Sequence, residues 1–143
     1  MKEVWKDIEG YEGYYQVSNL GRVKSLERLT TYTNSNAVTR KQPVKEKILS
    51  QRMDRHGYQR VSLKKDRKRK LCLVHRLVAQ AFIENPDSLP LVNHKDENRS
   101  NCNAMNLEWC TSKYNNNYGN ARQRMAEAKR RYHARRRAEK EAV

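Results

Sequence analysis

The residues of this chain with the greatest chemical potential lie in one asparagine-rich segment from Asn93 to Trp109, which reads NHKDENRSNCNAMNLEW. His94 ends an apolar run, and the carboxamides after it favour a loop because they hydrogen-bond to nearby backbone. A second asparagine cluster follows at 115–117. A histidine at the rim of such a loop, with amide oxygens nearby, is suited to metal-assisted hydrolysis.

Two predicted strands and a helix position these side chains. Residues 91–94 form a strand that ends at His94, and residues 107–110 form a strand that returns beside it. Thr111 or Ser112 can cap a following helix. This strand-loop-strand-helix unit brings Asn115 from the helix towards Asn93 and His94.

The remaining chain predicts an α+β fold. A hairpin is indicated by strand residues on both sides of Asn19-Leu20-Gly21, whereas the polar stretch 27–47 predicts a long loop or linker. A strand at 57–63, a cationic hairpin tip at 64–70, a strand at 71–74 and a helix at 75–82 follow. We expect a β-rich N-terminal module over 1–50, a central region over 51–118 that contains the unit at about 91–118, and a basic helical tail over 119–143.

The net charge of +15 predicts a polyanionic partner. Nucleic acid is the favoured partner and an anionic membrane is the main competitor. No apolar run approaches the length of a membrane span, and the N-terminus lacks the apolar stretch of a signal peptide, so we expect a soluble cytoplasmic protein. The candidate DNA contacts are cations beside the N-terminal hairpin and in the cationic run: Arg22, Lys24, Arg28, Lys65, Arg67, Lys68, Arg69 and Lys70.

The three cysteines, Cys72, Cys102 and Cys110, are an odd number, which argues against a disulfide framework. Together with His75 they allow a zinc site in principle, because thiolate and imidazole are common zinc ligands. However, each lies in or beside an apolar run where a reduced thiol packs well. The favoured prediction is therefore packed thiols, with His75 as a core histidine.

Several of these residues resemble the HNH endonucleases with a ββα-metal fold, especially phage-type homing and nicking enzymes. His94, Asn106 and Asn115 match the H, N and final positions of that motif, with asparagine in place of the last histidine. Upstream, VWKDIEGYEGYYQVSNLGRVKSL is similar to the NUMOD4 module that accompanies such nucleases, and LVHRLVAQAF is similar to the segment before their motif. The resemblance covers residues 3–26 and 71–117.

The resemblance implies hydrolysis of a phosphodiester in double-stranded DNA. His94 would be the general base, Asn93 and Asn115 would bind Mg²⁺ or Mn²⁺, and Asn106 would brace the loop. Many relatives have aspartate where this chain has the neutral Asn93, a weaker ligand for a hard cation. Asp96 is an alternative source of the carboxylate.

Two other interpretations stay open at this stage. One is a DNA-binding regulator that keeps the scaffold without catalysis, and the other, resting on charge alone, is an RNA-binding protein. The sequence does not determine the DNA target or the choice between a nick and a double-strand cut. A monomer is slightly favoured as the oligomeric state.

Overall fold

The computed structural model describes residues 1–142 and has mixed α and β structure, as predicted; Val143, the last residue of the predicted tail, lies outside the described residues. The strands of this part of the chain are β1 (Trp5–Asp7), β2 (Tyr15–Ser18), β3 (Val23–Ser25), β4 (Arg28–Thr33), β5 (Thr39–Val44), β6 (Lys47–Ile48), β7 (Arg52–Met53), β8 (Gln59–Lys65), β9 (Lys68–Leu73), β10 (Leu91–His94) and β11 (Leu107–Cys110). The helices are α1 (Val74–Phe82), α2 (Ser112–Asn117) and α3 (Ala121–Glu141).

The N-terminal sheet has the antiparallel strand order β1-β2-β3-β6, which confirms the predicted hairpin. Its turn contains Gly21 with a φ of +87°, a conformation that glycine adopts without a steric penalty. A Cβ at Gly21 would lie 2.9 Å from the Cβ of Cys102. The backbone N–H of Ala104 also donates to the carbonyl of Asn19 at 2.8 Å. The hairpin turn therefore packs directly against the asparagine-rich loop.

The prediction of a long loop at 27–47 was wrong, because β4 and β5 pair as a two-stranded antiparallel ribbon. Most of the ribbon is exposed on both faces, so its sequence lacks the apolar alternation that marks a half-buried strand. The local preference for a strand comes instead from its threonines, which favour strand conformation. The Asn34 side chain organises the turn by accepting hydrogen bonds from the backbone N–H groups of Asn36 and Val38, both at 3.0 Å.

A second sheet has the order β7-β8-β9 and confirms the predicted hairpin. The predicted tip at 64–70 was too long, because residues 64–65 end β8 and residues 68–70 begin β9. Its two turn residues, Asp66 and Arg67, both have positive φ angles, 51° and 64°. A two-residue turn of this kind matches the twist of the strands that it joins. Val74 begins α1 rather than ending the preceding strand, and the predicted helix is otherwise confirmed.

One hydrophobic core connects these elements. The apolar face of α1, with Val74, Leu77 and Val78 at helical spacing, packs against β2, β8, β9, β10 and β11. The N-terminal sheet and the central region share this core, and the boundary at 50/51 stays a prediction. The buried cluster consists of Ile8, Tyr15, Val17, Val23, Val61, Leu63, Val74, Leu77, Val78, Ala79, Val92, Cys102 and Leu107.

The predicted helix after Asn120 is confirmed as α3, and within it the structure buries no side chain. Its residues are mostly alanine and basic residues, so it has little apolar surface to bury. Across residues 1–142, no helix combines the length and the apolar character that crossing a bilayer requires.

The position of the core predicts that two leucines of the β8–β9 hairpin contribute very differently to the free energy of unfolding. Leu63 is 0% exposed and Leu71 is 58% exposed. Leu63→Ala should lower the free energy of unfolding by about 2–5 kcal/mol, because it leaves a cavity. Leu71→Ala should change it by no more than about 0.5 kcal/mol. Urea unfolding followed by circular dichroism measures both, and similar losses in the two variants would contradict this core.

Candidate active site

The candidate site is built on the antiparallel pair β10–β11 and the helix α2. The strand register places Asn93 opposite Glu108 and His94 opposite Leu107. The Thr111 hydroxyl accepts a hydrogen bond from the backbone N–H of Tyr114 at 3.1 Å and thereby caps α2, as predicted. Because α2 packs against β10, the predicted strand-loop-strand-helix unit is present in the structure.

Asn93, His94 and Asn115 line the same cleft, although up to 22 positions separate them in the chain. The cleft has a volume of about 310 Å³. The first turns of α3 form one of its walls through Ala121, Arg124, Met125 and Ala128. Polar and aromatic side chains complete it: Tyr58, Glu97, Arg99, Asn116 and Tyr118.

His94 is 4% exposed, and its Nε2 atom is buried without a hydrogen-bond partner among the described residues. Burial lowers the pKa of His94 below its ordinary value, against the opposing effect of Asp96. The imidazole is therefore neutral at pH 7, which is the form that accepts a proton.

A second buried histidine supports the ring of His94. His75, at the start of α1, is 5% exposed, and the two imidazole centroids lie 4.9 Å apart. The ring of Tyr58 packs beside both imidazoles, with its centroid 5.1 Å from that of His75 and 6.0 Å from that of His94. Burial, followed by the nearby His94, lowers the pKa of His75 to about 4. Both imidazoles are thus held in their neutral forms near neutral pH.

Asn106 makes hydrogen bonds that close the loop after His94. Its Oδ1 accepts from the backbone N–H of Asp96 at 3.0 Å, and its Nδ2 donates to Asp96 Oδ1 at 2.9 Å and to the Asn101 carbonyl at 3.0 Å. These are the bonds that a bracing residue needs. The role of Asn106 in catalysis stays a prediction.

The Asp96 carboxylate is engaged within the loop. Its Oδ2 accepts from Asn101 Nδ2 at 2.8 Å, and its Oδ1 accepts from Asn106 and from the backbone N–H of Asn98. The hydrogen bond from Asn101 and the others lower the pKa of Asp96. Asp96 is not among the described residues that line the cleft, so the geometry favours Asn93 over Asp96 as a ligand.

The donor groups of the cleft fit a hard divalent cation in type. Asn93 Nδ2 donates to Glu108 Oε1 at 2.8 Å, and because a carboxylate only accepts, the amide must present its N–H group there. Its Oδ1 is then the atom left for a cation. Asn115 and Asn116 supply further amide oxygens, and oxygen ligands suit Mg²⁺ and Mn²⁺.

The cysteines are separate thiols in the described structure. Cys102 and Cys110 are buried and Cys72 is partly buried, and burial raises the pKa of Cys102 to about 11. Over residues 1–142, no group of three or more His, Cys, Asp or Glu side chains is arranged to hold a metal ion.

The predicted DNA contacts near the N-terminal hairpin are engaged with their own module. Arg22 pairs with Glu3, and Lys24 lies 4.6 Å from the ring centroid of Trp5. The Arg28 guanidinium donates from Nη1 to the carbonyls of Tyr14 and Leu26 and to the Ser25 hydroxyl. Arg28 therefore braces the hairpin, and its predicted contact with DNA stays a prediction.

The predicted contacts in the cationic run divide into two groups. Lys65 Nζ donates to the Gly10 carbonyl at 2.9 Å, which directs it towards the N-terminal sheet. Arg67, Lys68, Arg69 and Lys70 are exposed at the β8–β9 turn. Their exposure leaves these four cations accessible to phosphates.

Several residues of the site were not found from the sequence. The Arg99 guanidinium lies 5.1 Å from the ring centroid of Tyr58, and Arg124 Nη1 donates to Glu97 Oε1 at 2.9 Å. Both arginines line the cleft, Arg99 from the asparagine-rich loop itself and Arg124 from the first turns of α3. The position of Glu108 could have been predicted, because an antiparallel alignment of residues 91–94 with residues 107–110 places it opposite Asn93.

Comparisons with known proteins agree with this geometry. A family model described as the NUMOD4 motif matches residues 3–64. This chain is similar to a solved structure that describes DNA binding and cleavage by the HNH homing endonuclease I-HmuI. The two superpose with a TM-score of 0.61 at 36% sequence identity, over 87% of this chain and 59% of that one. The chain carries a NUMOD4 motif and has the fold of an HNH homing endonuclease. The predicted resemblance is confirmed.

Sequence relatives give the same result. The DNA endonuclease I-HmuI of Bacillus phage SP01 is 40% identical over 111 residues, which are 78% of this chain and 54% of the relative. An uncharacterized HNH endonuclease of Acanthamoeba polyphaga mimivirus is 48% identical over 69 residues, 48% of this chain and 21% of that protein. This chain therefore spans about half the length of the phage endonuclease and about a fifth of the length of the mimivirus protein.

The neutral His75 predicts a dependence of stability on pH. Its pKa of about 4 lies below the ordinary value of ~6.5 in the unfolded chain, so between these values the unfolded state binds more protons. The free energy of unfolding should therefore fall as the pH is lowered from 7 to 4.5, with about 2 kcal/mol due to His75. His75→Gln should remove that part of the slope in urea unfolding, and parallel curves for the two proteins would contradict the assignment.

Proposed function

We propose that this chain is a metal-dependent DNA endonuclease that hydrolyses a phosphodiester bond, of the phage homing or free-standing HNH type. The observation that supports this most is the single cleft that combines a buried imidazole with an unpartnered nitrogen, three asparagine amides and two arginines. The similarity to I-HmuI supports the choice of DNA as the substrate. The alternative, a regulator that binds DNA without cutting it, has no specific observation in its favour.

His94 is the proposed general base. Its neutral imidazole would take a proton from a water molecule that then attacks the phosphorus. His94 lines the cleft, from which this water would approach, and the rings of His75 and Tyr58 limit the rotation of the imidazole. Asn106 would keep the loop closed, so that His94 stays at the end of β10.

Asn93 and Asn115 are the proposed ligands of Mg²⁺ or Mn²⁺ through their side-chain oxygens. When bound, the cation would neutralise charge on the scissile phosphate and stabilise the leaving oxygen. Arg99 and Arg124 would bind phosphate oxygens at the rim, since guanidinium groups match phosphate geometry.

The proposed substrate is double-stranded DNA, which a net charge of +15 attracts through counterion release. We propose that the exposed cations at the β8–β9 turn contact the DNA backbone, with Arg22, Lys24, Arg28 and Lys65 as secondary candidates. We further propose that the protein acts as a monomer in the cytoplasm of a host cell.

Removal of the proposed base should abolish cleavage. His94→Ala should reduce the rate on supercoiled plasmid by about 10²-fold or more in Mg²⁺ or Mn²⁺, because no other group replaces the proton acceptor. His56→Ala, at an exposed histidine outside the cleft, is the matched control and should cut like the wild type. EDTA should stop the wild type. A wild type that leaves plasmid and phage DNA intact with both cations would refute the proposal.

Removing positive charge from the β8–β9 turn should weaken DNA binding equally for DNA of any base sequence. In Lys68→Gln/Lys70→Gln, the slope of log K against log salt should decrease by about 1 to 2, because each lost phosphate contact contributes about 0.9. Binding titrations in EDTA at several salt concentrations measure this slope on two unrelated duplexes. An unchanged slope would show that the tip does not contact DNA.

A further inference from the structure

Asn93 is the weak point of the proposed cation site, because a neutral amide replaces the carboxylate that a hard cation prefers. The structure places a carboxylate directly beside it. Glu108 faces Asn93 across the β10–β11 pair, and Asn93 Nδ2 donates to Glu108 Oε1 at 2.8 Å. Asn93 is 6% exposed and Glu108 is partly buried, so solvent screens their interaction only in part.

Glu108 also contacts the helix that carries the second proposed ligand. The Tyr114 hydroxyl donates to the same Oε1 atom at 3.1 Å. Asn115 follows Tyr114 directly in α2. One carboxylate thus connects β10, β11 and α2, the three elements of the ββα unit.

We propose that Glu108 is a positioning residue for cation binding. It turns the side-chain oxygen of Asn93 into the cleft, connects α2 to β10, and supplies the negative charge that Asn93 lacks. A carboxylate accepts hydrogen bonds only, so it admits one orientation of the Asn93 amide, with Oδ1 away from Glu108. Partners of metal ligands that fix their orientation and raise their basicity strengthen metal binding in general. The inference rests on the proposed function, since it concerns the cation of that site.

Three variants separate orientation, charge and packing. Glu108→Gln keeps the size of the side chain, but its amide can donate as well as accept, so it loses the charge and no longer selects one orientation of Asn93. Glu108→Ala removes both hydrogen bonds. Asn93→Asp/Glu108→Gln exchanges the charge across the pair, because the introduced glutamine can donate to the introduced carboxylate. Glu84→Gln removes one charge at an exposed position outside the cleft and is the matched control.

The readout is the affinity of the full chain for Mn²⁺ alone, measured by water-proton relaxation without DNA. We expect Glu108→Gln and Glu108→Ala to bind Mn²⁺ about tenfold more weakly or worse, Glu84→Gln to match the wild type, and the exchanged pair to recover the lost affinity. Thermal unfolding checks that each variant is folded. In metal-free protein, the side-chain amide signal of Asn93 in NMR spectra should show protection from exchange that Glu108→Ala removes.

The inference is overturned if Glu108→Gln binds Mn²⁺ as tightly as the wild type, or if the exchanged pair remains as weak as Glu108→Gln. An Asn93 amide that exchanges equally fast in the wild type and in Glu108→Ala would also overturn it. If the wild type cuts DNA and binds Mn²⁺ but Glu108→Gln is unchanged, only the role of Glu108 fails. If the wild type neither binds Mn²⁺ nor cuts DNA, the proposed function fails together with it.

Discussion

Burial of the apolar face of α1 is the interaction on which the other elements depend. Val74, Val78 and Ala79 are each 0% exposed, and the helix contacts strands of the N-terminal sheet, the β7-β8-β9 sheet and the β10–β11 pair. Each of these sheets has only two to four strands, and so small a sheet needs a packing partner to be stable. A nine-residue helix is likewise marginal by itself. Helix and sheets therefore stabilise one another around a single core.

The same helix places the candidate site. His75, its second residue, contacts the ring of His94, so the orientation of the proposed base depends on where α1 lies. The turn of the N-terminal hairpin reaches the site from the other direction, because Gly21 packs against Cys102 in the asparagine-rich loop. The NUMOD4-like segment and the site are thus parts of one packed structure. A substitution that enlarges the hairpin turn would therefore displace the loop that follows His94.

Charge is distributed unequally between the cleft and the surface. The buried groups of the cleft are uncharged: they are the imidazole of His94 and the carboxamide of Asn93, which donates to Glu108. The charged groups that line the cleft, Glu97, Arg99 and Arg124, are partly buried or exposed. Outside it, the excess of cations is exposed on the β8–β9 turn and on α3. This arrangement separates two tasks. Long-range attraction of a polyanion needs many solvated cations, whereas proton transfer needs a base that is uncharged at neutral pH.

The sequence by itself determined the elements whose signals are local. Apolar alternation marked β2, β3 and β8, short apolar runs marked β10 and β11, helical spacing marked α1, and a capping threonine marked α2. Each of these patterns depends only on neighbouring residues. The motif residues His94, Asn106 and Asn115 were identified through the resemblance to the HNH endonucleases. The ribbon β4–β5 was missed because neither of its faces is consistently buried, so no alternation exists to be read. Only the tertiary structure decided which groups complete the cleft, since Tyr58 and Arg124 approach from elements that no local pattern connects to the asparagine-rich loop. Likewise, only the strand register placed Glu108 against Asn93.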